Sequence, residues 1–176
     1  MTNTLLTAES VLASAEKKMG LSDFGPDDFR EGLDVLMQTY EKNSFTEKGD
    51  KKNRKRVVDL LSARLRIEKA FKKHPDIKKE VISQPVILTG LPRTGTSALL
   101  NLLAVDKDAR PLKLWEGLNP EPLEDLKPGD VDPRYTAMKE FFDSLNSEFD
   151  KIHATSADTP EECIHLLNHT FCDVQF

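Results

Sequence analysis

Apolar residues return every three or four positions along the first 73 residues, the spacing of helices that bury one face. The segment TAESVLASAEKKM, residues 7–19, reads as one helix, with Thr7 as its cap and Gly20 as a left-handed stop. Residues 26–42 read as a second. Pro26 suits its first turn, Asp27 and Asp28 suit its positive end, and Phe29, Leu33, Leu36, Met37 and Tyr40 form one stripe. The polar run 43–53 reads as a loop. A third helix is predicted over about 54–73, with Val57, Val58, Leu61, Leu65 and Phe71 inward and His74-Pro75 as its end. The basic cluster Lys51, Lys52, Arg54, Lys55, Arg56 at its start reads as a solvated helix end.

The pattern changes at residue 85. PVILTG is a short continuous apolar run, which suits a strand buried on both faces of a parallel sheet. A glycine-containing loop, LPRTGT, follows, and then SALLNLLAV reads as a helix. Strand, loop and helix in this order make the first half of a βαβ unit, so the fold class is α/β. Residues 111–135 are rich in Pro and Gly and read mostly as loop, with a short element around 112–115. Residues 134–150 read as a helix with Tyr135, Met138, Phe141, Phe142, Leu145 and Phe149 inside. A last helix opens at Thr159, with Pro160 in its first turn and Glu162 as capping-box partner. A parallel sheet needs several strands and one is visible, so the expectation is the N-terminal portion of a longer enzyme. The organisation expected is an α-helical region over 1–80, then part of a P-loop-type domain over 81–176.

Composition narrows the classes. The chain has 176 residues, 38% hydrophobic and 31% charged, too apolar for a disordered segment. The net charge is −5, which speaks against general nucleic-acid binding. It divides as +3 over residues 1–80 and −8 over 81–176, two regions of different character. No apolar run approaches the ~18 residues of a membrane span, and MTNTLLTAES lacks the form of a secretory signal. Two cysteines, Cys163 and Cys172, are too few for a disulfide scaffold and read as reduced thiols of a cytoplasmic protein.

The chemistry sits in Gly90-Leu-Pro92-Arg93-Thr94-Gly95-Thr96-Ser97. Gly-x4-Gly is the spacing of a phosphate-binding loop, in which successive N–H groups and the next helix N-terminus surround an anion. The lysine that follows this spacing in nucleoside-triphosphate loops is replaced by Thr96. A cation stands inside the loop instead, as Arg93, whose planar fork matches a sulfonate or phosphate.

PVILTGLPRTGTSALLNLLA resembles the 5′-phosphosulfate loop of sulfotransferases, which use 3′-phosphoadenosine 5′-phosphosulfate (PAPS) and release PAP. Pro92, Arg93, Thr94, Gly95, Thr96 and Ser97 match that loop position by position. The arginine form resembles the bacterial branch related to protein-tyrosine sulfotransferases, as do LKLWEGLNP and ADTPEECIHLLNHTFCDVQF. The resemblance implies that N–H groups of residues 94–97 and the Thr96 and Ser97 hydroxyls hold the 5′-phosphate. Arg93 then neutralises the departing phosphate oxygen and the sulfuryl oxygens, and no metal is required. It implies an acceptor that is a small molecule, carbohydrate, lipid or peptide carrying a hydroxyl or amine. Its 3′-phosphate site has no match before Phe176.

The acceptor needs a general base. Glu116, in LWEGL, stands where the resemblance places a glutamate base in the tyrosine-sulfating relatives; His153 is the other candidate. His165 and His169 lie i, i+4 without an evident third metal ligand, and read as helix-face histidines. Trp115 suits an acceptor pocket or a core. Two other readings stay open: a P-loop kinase or nucleotide hydrolase, and a truncated non-catalytic member with an interaction role.

Overall fold

The computed structural model describes residues 6–91, 93–121, 123, 126–127, 129–144 and 156–172. The first helix, α1, spans Ala8–Met19. Thr7 accepts the Ser10 N–H at 3.2 Å, the Ser10 hydroxyl faces the Thr7 N–H, and Gly20 closes the helix at φ 64°. A 3₁₀ turn, Asp27–Phe29, leads into α2, Arg30–Lys42. The third helix, α3, is longer than its pattern suggested. It runs Glu47–Lys73, so most of the expected 43–53 loop is helical. Thr46 caps it by accepting the Gly49 N–H at 3.2 Å, and Lys51 pairs with Glu47 one turn below at 2.7 Å. A cap and an i,i+4 pair carry the helix through Gly49, whose cost of about 1 kcal/mol they can offset. The helix ends at His74, as expected, and a 3₁₀ turn Pro75–Lys79 follows.

These helices form one unit, together with the described residues from Leu166 onward. Its core joins Val11 and Ala15 of α1, Phe29, Leu33, Leu36 and Met37 of the second stripe, Val57, Leu61 and Leu65 of α3, and Phe24 and Phe171. Arg64 is the polar tie. Its Nε donates to the Phe24 carbonyl at 2.7 Å, its Nη2 to the Pro26 carbonyl at 2.8 Å and to Asp28 at 2.6 Å, and its guanidinium lies 4.3 Å from the Phe29 ring centroid. It also reaches the His169 carbonyl at 3.4 Å, and Phe171 packs on Gly32, where its carbonyl leaves no room for a Cβ. Arg54 of the basic cluster is likewise no solvated end group: it donates to Ser10 and Ser14 of α1.

The second unit covers Glu80–His165. Its helices are α4, Thr96–Leu103, α5, Leu114–Leu118, and α6, Pro133–Ser144. The parallel sheet expected from PVILTG is not formed among the described residues, which contain no strand. Val86 and Ile87 are 78% and 80% exposed. A ladder is a non-local object: an apolar run becomes a strand only when another strand supplies its hydrogen-bond partners.

Two helix readings also change. In α6, Phe141 is 54% exposed rather than inside, while Leu145 and Phe149 lie outside the described residues. The helix expected from Thr159 starts only at Ile164 and passes into a 3₁₀ turn, Asn168–Thr170. The Thr159 hydroxyl instead accepts from the Ser156 N–H at 2.9 Å. Pro160 forms a bridge with Lys113, and the Glu161 N–H donates to the Leu112 carbonyl at 2.9 Å. That pairing holds Pro160 and Glu161 beside residues 112–113, so no helical turn begins at Thr159. No helix of the described residues is long and apolar enough to cross a membrane.

Candidate functional site

The glycine loop enters α4 through two left-handed residues. Arg93 has φ 66° and Gly95, the N-cap of α4, has φ 89°. Between them the Thr94 hydroxyl donates to the Leu91 carbonyl at 2.6 Å and pins the turn. The first helical bond of α4 runs from the Leu99 N–H to the Gly95 carbonyl, at 3.0 Å. The N–H groups of Thr96, Ser97 and Ala98 therefore precede the helical ladder and face the loop end, the arrangement that binds anions. Gly90 closes the other side: a Cβ there would stand 3.0 Å from Thr94 Oγ1 and from Thr96 Cγ2. Arg93, Thr94, Gly95 and Ser97 are exposed and Thr96 is half-buried. Backbone donors thus gather at the start of one helix, in a segment that also carries the Thr96 and Ser97 hydroxyls and the Arg93 guanidinium, a donor set of the kind that fits a phosphate or phosphosulfate. Pro92 lies outside the described residues.

Glu116 stands in the first turn of α5. Its Oε2 accepts the Lys113 N–H at 2.9 Å, the reach-back of a helix cap. Arg110 grips both carboxylate oxygens, and the Glu116 side chain is 18% exposed. The carboxylate lines a cavity of 430 Å³ with Arg110, Lys113, Trp115 and the 104–107 turn that follows α4. Arg93 and this turn belong to opposite ends of α4, whose eight residues rise about 12 Å.

The wall of the cavity is held from behind. Trp115 meets Tyr135 edge-on, with ring centroids 6.3 Å apart, and Arg134 lies 5.1 Å from the Trp115 centroid. Arg134 is fixed by Asp132 at 2.6 Å and donates to the carbonyls of Asn119, at 2.5 Å, and Glu121, at 2.7 Å. The side-chain hydrogen bond from Arg134 holds the Asp132 carboxyl below the usual carboxylate range, against a smaller opposing effect of burial. The Tyr135 hydroxyl donates to Asp158 at 3.1 Å, a bond that pushes its phenol up, and the Lys113 ammonium donates to the Asp158 carbonyl.

His153 lies outside the described residues. His165 packs against Gly117, where a Cβ would meet its own Cβ at 3.0 Å, and His169 is buried in the 3₁₀ turn. No group of three His, Cys, Asp or Glu able to hold a metal occurs among the described residues. Cys163 and Cys172 are exposed free thiols. Arg110, Asp132 and Arg134 were not singled out from the sequence. Asp132-Pro-Arg134 was a readable turn, but a partner six residues upstream of Glu116 leaves no periodic signal.

Comparison with known proteins returns one family model, described as the sulfotransferase family, over residues 85–176, just over half of the chain. Among solved structures, the chain is similar to sulfotransferase STF1 from Mycobacterium tuberculosis H37Rv, with 32% identity and a TM-score of 0.76. It is also similar to sulfotransferase STF9 from Mycobacterium avium, with 27% identity and a TM-score of 0.79. These matches take in 98% and 97% of this chain but 49% and 45% of theirs, so the chain spans about half the length of either. No curated protein gives a significant match.

Proposed function

The chain belongs to the sulfotransferase family, and from that premise we propose that loop 90–97 holds the 5′-phosphosulfate end of PAPS for transfer to a hydroxyl or amine acceptor. The observation that supports this reading is the double left-handed turn at Arg93 and Gly95, which brings the glycine loop into the N-terminus of α4 with its leading N–H groups outside the helical ladder. The donor supplies the sulfuryl group: its sulfur–oxygen bond to the phosphate breaks as the acceptor oxygen or nitrogen bonds to sulfur. The N–H groups of Thr96 and Ser97 and their hydroxyls hold the phosphate oxygens. Arg93 offsets the negative charge that grows on the departing oxygen, the positioning and electrostatic role that group transfer from phosphate demands.

Glu116 is the base in this reading, with His153 as the alternative. A carboxylate offers about four lone-pair positions. Two guanidinium contacts and the Lys113 N–H take three, and Oε1, with one partner, keeps room for the acceptor proton. The acceptor is a small molecule, carbohydrate, lipid or peptide. PAP is the product, and the reducing cytoplasm suits the two free thiols.

Calorimetric titration of the purified chain with PAP, against ATP with Mg²⁺, tests the reading. PAP is expected to bind in preference to ATP, and Arg93→Ala to weaken PAP about 10- to 100-fold, the worth of a charge-assisted fork. Preference for ATP with Mg²⁺ would turn the assignment toward a kinase. No heat with either ligand, from a chain that melts cooperatively, would remove donor binding from this portion.

A further inference from the structure

His169 is a buried titratable group that the sulfuryl-transfer reading does not use. It sits in the 3₁₀ turn Asn168–Thr170, 5% exposed, and both of its ring nitrogens are out of reach of solvent. The turn packs against α3 and against the turn Asp27–Phe29. Arg64 of α3 touches it: Nη1 donates to the His169 carbonyl at 3.4 Å, and the Arg64 side chain is itself only 8% exposed. Two residues on, Phe171 is buried in a left-handed conformation, φ 56°, with its ring 6.4 Å from that of Phe29 and its carbonyl against Gly32. A phenylalanine keeps that conformation only where packing holds it, so this segment depends on its seat.

The charges around the seat favour a neutral imidazole. From α3 comes Arg64, and the rest of that helix carries Arg66, Lys69, Lys72 and Lys73 against one carboxylate, Glu68. Glu68 is directed at Gly25, where a Cβ would meet its carboxylate at 2.3 Å. The turn Asp27–Phe29 and the loop before it bring Asp28, bonded to Arg64 at 2.6 Å, Asp27, paired with Arg30, and Asp23, paired with Lys72. The contact from α2 is Gly32, which brings no charge. A neutral imidazole carries one N–H; an imidazolium carries two and a full positive charge. Placing that charge beside a buried guanidinium and away from water is costly, so seating and protonation oppose each other.

We propose that His169 makes the seating of residues 166–172 on the helical unit sensitive to pH: the segment is held while the imidazole is neutral and loosened when it takes a proton. The unseated segment titrates at the ordinary histidine value, ~6.5. The seated one takes the proton less readily, so seating is at full strength above that value and weakens as pH falls below it. The device stands apart from the loop chemistry, since every residue it uses belongs to the helical unit.

The test is amide hydrogen exchange of the 176-residue chain from pH 7.5 to 5.0, read by mass spectrometry and corrected for intrinsic rates. Residues 166–172 are expected to lose protection about 10-fold across this range, while α1 and α3 keep theirs. His169→Gln, which stays neutral, should flatten the response. NMR titration of the parent keeps the test decisive where the variant does not seat: His169 is expected to bind its proton at least 10-fold more weakly than exposed His74. His169 titrating together with His74, or above it, would overturn the proposal whatever the variant does. Unchanged protection of 166–172 at pH 5.0 would overturn it as well, and the same loss in His169→Gln would assign the response to another group. Loss of protection by all the helices together would overturn it in favour of general acid unfolding.

Discussion

Arg110 holds Glu116 through both arms of its guanidinium, Nη2 on Oε1 at 2.8 Å and Nη1 on Oε2 at 3.2 Å, while the Lys113 N–H occupies Oε2 from the other side. The carboxylate is thus fixed at the cavity wall, with its spare acceptor capacity on Oε1. A base role and a cap role give different results on substitution. Glu116→Gln keeps the shape and can still receive the Lys113 N–H, but it cannot take the acceptor proton. Sulfuryl transfer is expected to fall by about 100-fold or more, the scale of general-base removal. Arg110→Gln leaves the base and its cap in place; with Arg110 largely solvent-exposed, the ion pair itself contributes under about 1 kcal/mol, so transfer should change less than about 10-fold. The measurement is transfer of labelled sulfuryl from PAPS to a panel of phenolic, carbohydrate and peptide acceptors. Glu116→Gln within a few-fold of the parent would leave Glu116 as a helix cap and move the base to His153.

Gly95 provides a second separable effect. At φ 89° it occupies a conformation that side chains disfavour by about 1–2 kcal/mol, yet a Cβ there would meet nothing within 4 Å. The cost of Gly95→Ala is therefore backbone strain alone, and relieving it would turn the N–H groups at the start of α4, which the proposed phosphosulfate site uses. PAP affinity is expected to fall about 10-fold. Gly129, at φ 94° and equally open, is the control: Gly129→Ala carries the same strain without touching the loop. Titration of both variants with PAP distinguishes them, and equal losses of affinity would mean that strain acts through general destabilisation rather than through the loop.

Local signals carried most of what could be read in advance. Thr7 and Gly20 mark the ends of α1 because caps are made by the residues beside them. The stripes of the second and third helices became the core because period 3.6 sets which side chains share a face. The turn at 90–97 into α4 was readable because Gly90, Thr94, Gly95 and Thr96 act on one another within a few residues. The misreadings have one source, which is partners distant in sequence or set by context. Gly49 and its charged neighbours looked like a loop, but Thr46 and the Glu47–Lys51 pair extend α3 through them. PVILTG has the composition of a strand, and composition cannot supply a neighbour for its ladder. Pro160 looked like a helix first turn, but its partner is Lys113, 47 positions away. Arg64 bonds carbonyls near residue 25 and at residue 169, and nothing in its local sequence announces that.

Asp132 and Arg134 make the cavity wall sensitive to acid. The Arg134 side chain, and next to it the Arg134 N–H, bond the Asp132 carboxylate and depress its pKa, with burial opposing them in part. The folded chain therefore binds this proton less readily than the unfolded chain, where an aspartate titrates near ~3.9. The stabilisation is complete above that value and is lost as pH falls through the lower folded one. Asp132→Asn lacks this titration. Its melting temperature should lie below that of the parent by a constant amount from pH 7 to about pH 5, and the gap should close below about pH 4. Trp115 is the only tryptophan in the chain, and Arg134 lies against its ring, so intrinsic fluorescence reads the same site. The variant should show at neutral pH the Trp115 emission that the parent acquires only in acid. A gap that stays undiminished at pH 3, with parent emission unchanged by acid, would mean that the Asp132–Arg134 pair does not hold the wall.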